Sequence, residues 1–212
     1  MLHCAFTLID RKAALIRAWR RAFADIPEIT IRRGDLCAAA QGGAIVSPAN
    51  AFGWMDGGVD AAIRDAYAAA GVDIIAVAQA AIRQQAHGEL LIGQALVIPT
   101  PHTPYTHLIV SPTMRTPRPI RGTLHAYLAF RGLLLAIAAW NDQHPADPVI
   151  HCTCPGLGTG IGRLSATRAA QQMRTAWDAV QQEPPAAFPS LRVLSAQEDR
   201  WRYGLLGYLF YH

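Results

Sequence analysis

The sequence predicts a three-layer α/β sandwich. Short apolar runs alternate with longer helical patterns along the 212 residues. Two of the apolar runs lead into glycine loops, and each loop is followed by a helix-like stretch. Many of the apolar residues are alanines, which lets helices pack closely. In sheets of this class ligands bind beyond the C-terminal ends of the strands, and both glycine loops fall at such ends.

The elements follow in order. His3 to Ile9 reads as a first strand. Arg11 to Phe23 has helical spacing, with Leu15, Ile16, Trp19 and Phe23 on one face. Ile29 to Ile31 is a second strand, ending at Arg32-Arg33-Gly34-Asp35. Ala44 to Val46 is a buried strand. Val59 to Ala70 is a helix stopped by Gly71. Val72 to Ala86 is another. Ala95 to Ile98 and Leu108 to Val110 are strands, with Pro99, Pro101 and Pro104 in the turn between them. Thr123 to Trp140 is a long helix and Pro148 to Cys152 a buried strand. Ala166 to Val180 is a helix ended by Pro184-Pro185, and Leu191 to Leu194 is a last strand. The segment Pro99–Pro119 reads as a loop that holds His102 and His107. A single domain over residues 1–212 is expected.

Composition narrows the function. Hydrophobic residues make up 51% and charged residues 16%, which fits a packed core and excludes a disordered chain. The net charge is +4 and Lys12 is the only lysine. A mildly basic, arginine-rich surface suits anionic ligands but does not by itself argue for nucleic acid. Cys4, Cys37, Cys152 and Cys154 are too few for a disulfide framework. Asp10, Arg11 and Lys12 interrupt any signal-peptide pattern. The apolar stretch from Leu124 to Trp140 contains His125 and Arg131 and reads as a buried helix, not a membrane span. A reduced, cytoplasmic protein without a membrane partner is the expectation.

Ser47 to Asp60 carries the most information. Asn50 ends a polar turn, Gly57-Gly58 follows, and Asp60 falls in the first turn of a helix. One reading puts the Asn50 amide on a ribose hydroxyl, the Gly57-Gly58 backbone along a diphosphate, and Asp60 by the reacting sugar. The other makes Asn50 a turn former and Asp60 a helix N-terminal charge. The loop Pro155 to Gly162 has four glycines in its last seven residues. Glycines so close together need a backbone reason, and a phosphate cradle supplies one, with Thr159 adding a hydroxyl. Asp35 either accepts a hydrogen bond from an exocyclic amine or caps a turn. His151-Cys152-x-Cys154 reads as buried cysteine beside a strand, since a structural zinc site needs four ligands. There is no Walker-type lysine loop and no Gly-x-Ser-x-Gly elbow.

Together these pieces resemble the macrodomain family of ADP-ribose-binding modules. Members carry Gly-Asp-Ile/Leu, then Asn-Ala-Ala-Asn, then a glycine run with Val-Asp. Gly34-Asp35-Leu36 matches the first motif. Ser47-Pro48-Ala49-Asn50 matches the second at its last two positions. Asp56-Gly57-Gly58-Val59-Asp60 matches the third, with Met55-Asp56 in place of two glycines. The step from Asn50 to Asp60 is that of the MacroD-type hydrolases. Gly158-Thr159-Gly160-Ile161 is similar to the family's phosphate loop. The resemblance covers roughly residues 28–182.

The resemblance implies an α/β/α sandwich with a central mixed sheet and a pocket for ADP-ribose or an ADP-ribosylated macromolecule. It implies Asp35 and Leu36 at the adenine, and Gly57, Gly58, Val59, Gly158, Thr159, Gly160 and Ile161 around the diphosphate. Asn50 and Asp60 would face the distal ribose as catalytic residues. No metal or cofactor is expected. The departures alter the distal wall: Phe52 and Trp54 add bulk, and Asp56 adds a carboxylate expected to point away from phosphate. Arg115, after the strand at Val110, is either a contact for a substrate's negative charge or a solvated surface residue. The branch of the family that uses a catalytic lysine looks excluded, because Lys12 precedes the first motif and no lysine lies near either loop. Three functions follow as expectations: hydrolysis of ADP-ribosyl or O-acetyl-ADP-ribose esters, binding of ADP-ribose without turnover, or protein interaction through a scaffold with a vestigial pocket.

Overall fold

The computed structural model describes residues 4–101 and 103–211, the side chains of 205–211 excepted. Part of the first expected strand (His3) and one expected loop histidine (His102) lie outside the described residues.

Six strands form one mixed sheet: β1 (Ala5–Asp10), β2 (Ile29–Arg33), β3 (Ala44–Ser47), β4 (Leu96–Pro99), β5 (His107–Val110) and β6 (His151–Cys154). Their spatial order is β2-β1-β6-β3-β5-β4. All neighbours are parallel except β4, which runs antiparallel to β5. The edges are therefore β2 and β4.

The alternation of side chains along each strand splits the core in two. Phe6, Leu8, Val46, Ile109, Cys152 and Cys154 face helices α1 (Ala13–Ala22), α5 (His125–Gln143) and α6 (Ala166–Gln181). There Phe6 meets Trp177 edge-on at 5.6 Å between ring centres. Ile9, Ile45, Leu108 and Val110 face α3 (Gly58–Ala69) and α4 (Ile74–Ala86). Sheet and helices on both faces make the expected sandwich.

Helix starts follow local chemistry. Ser165 caps α6 by accepting from the Arg168 N–H, and Asp73 caps α4 by accepting from the Ala76 N–H. A short helix absent from the sequence reading, α2 (Leu36–Ala39), follows Asp35. At four residues it is too short to show a period.

Three expectations need correction. Leu191–Leu194 is not a strand; it opens α7 (Leu191–Tyr211), which is broken at Gly204. Among the described residues these four pair with no strand, and α7 docks on α6 through polar ties. The Gln172 amide donates to the carbonyls of Thr123 and Trp201, while Tyr127 packs on Trp201 at 5.0 Å. His107 is not a loop residue. It is buried at the start of β5, between Thr106 Oγ1 and Asp147 Oδ2. Burial pushes its pKa down, with Asp147 opposing. The strand expected at Pro148–Cys152 runs instead from His151 to Cys154.

No single helix among the described residues is long and apolar enough to cross a membrane. The pair α3 and α4 has the composition but bends by 109° and packs on the sheet.

Candidate functional site

Both glycine loops emerge at the same rim of the sheet, where parallel strands β3 and β6 end side by side. Two cavities open there. The first, about 650 Å³, is lined by Asn50, Trp54, Asp56, Asp60, Met114 and the Gly156–Gly162 loop, among others. The second, about 390 Å³, is lined by Asp10, Arg11, Lys12, Asp35, Leu36 and Cys37. Gly58, Val59, Gly156 and Gly160 border both. A seam made from the two loops therefore joins the cavities, and both volumes fall in the range of small-molecule sites.

The first loop is shaped by its own polar groups. The Asn50 side-chain Oδ1 accepts from the Phe52 N–H at 3.0 Å, and its side-chain amide donates to the Trp54 carbonyl at 3.1 Å. Asn50 is thus engaged in its turn, with one N–H left for the cavity. A bridge from Asn50 to Met114, with the Ala51 N–H on the Met114 carbonyl, ties the loop to the segment after β5. Trp54 is 52% exposed at the cavity wall. Asp56 is also exposed and borders the first cavity. Gly57 starts α3 without a side-chain cap, and Gly58 has φ +60° in the left-handed region that favours glycine. The N–H groups of the first turn have no partners within the helix, and the helix end carries partial positive charge.

Asp60 sits in that first turn on the cavity wall. The Ser47 hydroxyl, at the end of β3, donates to its Oδ1 at 2.7 Å. Burial pushes the carboxyl up to about 6, and the Ser47 bond opposes the shift. A carboxylate in that range can accept a proton near neutral pH.

The second loop is built by close backbone approach. A Cβ on Gly156 would lie 2.4 Å from Leu15 Cδ2 and 2.6 Å from Thr159 Oγ1. One on Gly162 would lie 2.5 Å from the Gly158 carbonyl oxygen. The Ile120 N–H donates to the Gly162 carbonyl at 2.8 Å and holds the loop's far end. The Thr159 hydroxyl donates to the Gly156 carbonyl at 3.2 Å, so it stabilises the loop and is not free for a phosphate in this arrangement.

Of the two roles left open for Asp35 by the sequence, the structure shows the cap. Asp35 borders the second cavity and caps α2. The Ala38 N–H chiefly, and Arg11 next, hold its carboxyl below the ordinary value. Arg115 is neither a free contact nor merely solvated: it forms a two-point ion pair with Glu89, at 2.6 and 3.1 Å, and lies over the Phe52 ring.

The position of Lys12 overturns an expectation. Its ammonium donates to the Thr159 carbonyl at 2.7 Å, so the lysine does lie on a glycine loop. Sequence reasoning missed it because the contact spans 147 positions. His151 and the two neighbouring cysteines stay structural. The His151 ring bonds Thr7 Oγ1, and both thiols are buried among α1, α5 and α6, with burial raising their pKa values.

The model of the Macro domain family matches residues 46–173, and the chain belongs to that family. No curated protein matched it. Solved structures share the fold. The macrodomain of Mycobacterium tuberculosis DarG is 22% identical with a TM-score of 0.53, over 69% of this chain and 88% of that one. The macrodomain of Thermus aquaticus DarG is 23% identical with a TM-score of 0.53, over 69% and 88%. A mutant Oceanobacillus iheyensis macrodomain with ADPR is 20% identical with a TM-score of 0.54, over 84% and 91%.

Proposed function

We propose that this chain binds ADP-ribose and hydrolyses ADP-ribosyl or O-acetyl-ADP-ribose esters. The adenosine half occupies the second cavity, beside Asp35 and Leu36. The diphosphate crosses the seam, held by backbone N–H groups of Gly57, Gly58 and Val59 and of the loop Gly158 to Ile161. The distal ribose enters the first cavity, between Asn50 and Asp60. The Oceanobacillus macrodomain mutant, which shares this fold, holds ADPR, and that supports the choice of ligand.

One observation carries the catalytic reading: a half-buried carboxylate on the wall of an open cavity, fixed by a serine hydroxyl and pushed by desolvation up to about 6. In the proposed step Asp60 takes a proton from water as the water oxygen attacks the ester carbonyl carbon. The tetrahedral centre then expels the sugar oxygen, which receives the proton held by Asp60. The products are the free acid and ADP-ribose. The remaining Asn50 N–H orients the ribose. Release of ADP-ribose from an ester-linked protein adduct tests this with wild type and Asp60→Ala. A loss of about 100-fold is expected for removal of a general base; equal rates would remove Asp60 from the mechanism.

The engaged amide of Asn50 favours a second reading, binding without turnover. Tight calorimetric binding of ADP-ribose with no product from any adduct would select it.

A further inference from the structure

We propose that Lys12 is a phosphate-binding residue, a cation that the N-terminal β1–α1 unit adds to the diphosphate seam. This rests on the ADP-ribose reading above and goes beyond it, because residues 5–22 lie outside the family-matched region 46–173.

Three consecutive residues, the last of β1 and the two after it, touch the site. Asp10 Oδ1 accepts from the Lys12 backbone N–H at 2.8 Å and fixes the turn that leads into α1. Arg11 forms an ion pair with Asp35 at 2.5 Å, so its charge is balanced. Lys12 forms no ion pair among the described residues. Its ammonium rests on a neutral carbonyl, that of Thr159, in the loop whose backbone would hold phosphate. It borders the second cavity together with Thr159 and with Gly58, Val59, Gly156 and Gly160, the residues of the seam. An unbalanced ammonium has three donors. It can keep the Thr159 carbonyl with one and give another to a phosphate oxygen.

The alternative role is structural: Lys12 props the loop and never meets the ligand. Chemistry separates the two. A phosphate contact weakens ligands that carry phosphate and leaves adenosine alone. A prop weakens all of them, because the loop also walls the adenosine cavity.

The experiment uses the full chain. Calorimetry measures ADP-ribose and adenosine on wild type, Lys12→Met and Lys12→Arg. Lys12→Met is expected to weaken ADP-ribose about tenfold, within the range for a hydrogen bond to a charged group, and to leave adenosine within about twofold. Lys12→Arg should recover most of the ADP-ribose affinity. As the chain has one lysine, reductive methylation with ¹³C-formaldehyde labels one side-chain amine. That resonance, identified by its loss in Lys12→Met, should shift with ADP-ribose and stay with adenosine. Equal ADP-ribose affinity in Lys12→Met, an equal loss of adenosine, or a lysine resonance that ignores ADP-ribose would overturn the assignment. If wild type itself ignored millimolar ADP-ribose, the functional reading beneath it would fall instead.

Discussion

Replacing Asp60 by asparagine should stabilise the fold at alkaline pH while removing the proposed base. The carboxyl rises from its ordinary value of 3.8 to about 6, chiefly through burial. Two units at about 1.36 kcal/mol each make roughly 3 kcal/mol of differential stability. The folded state binds this proton more tightly than the unfolded chain. The wild type therefore has its full Asp60 contribution below about pH 4, loses it as pH climbs to about 6, and stays at the lower level above that. Asparagine does not ionise, and its carbonyl still accepts the Ser47 hydroxyl. Its amide group must find a partner on the cavity wall, which takes back part of the gain. The expected advantage is about 2 kcal/mol at pH 8, or roughly 4–8 °C in melting temperature for a chain of this size. At pH 4 the two proteins should be nearly equal. Urea unfolding of both at both pH values measures it. Other titrating groups, such as His107 and His125, are common to both proteins and cancel in the difference. A variant that was equally stable or less stable than wild type at pH 8, or whose offset did not change with pH, would refute the argument that Asp60 is held ionised against a desolvation cost.

Two further outcomes follow from packing. Gly156→Ala should weaken ADP-ribose more than tenfold and lower stability by about 1–3 kcal/mol, since the added methyl collides with Leu15, Thr159 and Asp10; calorimetry and urea midpoints check it. Gln172→Leu should cost about 2 kcal/mol, because it strands the Thr123 and Trp201 carbonyls and the Tyr127 N–H at a buried position; limited proteolysis should then cut near α7 sooner.

The strands and long helices were legible because their periods are strong. Ala166 to Val180 repeats apolar residues at helical spacing, and α6 runs one residue further. Ordered glycine motifs also gave both walls of the site. What stayed hidden had physical reasons. Leu191–Leu194 contains a short apolar run that fits strand or helix equally, and only the dock of Trp201 on α6 decides. His107 sits among prolines, so its strand was read one residue short. The engagement of Asn50 and Thr159 within their own loops depends on rotamers that no motif encodes. Lys12 reaches the second loop only because β1 lies beside β6.

The sheet's flanks have a consequence for how the molecule behaves in a crowd. On one side β2 offers exposed Arg32 and Arg33, which repel an identical ribbon; on the other, Pro99 lacks an amide to share. Neither border invites a foreign strand to stack on. Trimming the chain to its family-matched portion would discard β1 and β2 and also Ala44 and Ile45, through which β3 pairs with β6, and would leave β6 without either neighbour. The amino-terminal residues thus cover the backbone of β6, and a shortened version is expected to expose unpaired strand that can associate edge upon edge.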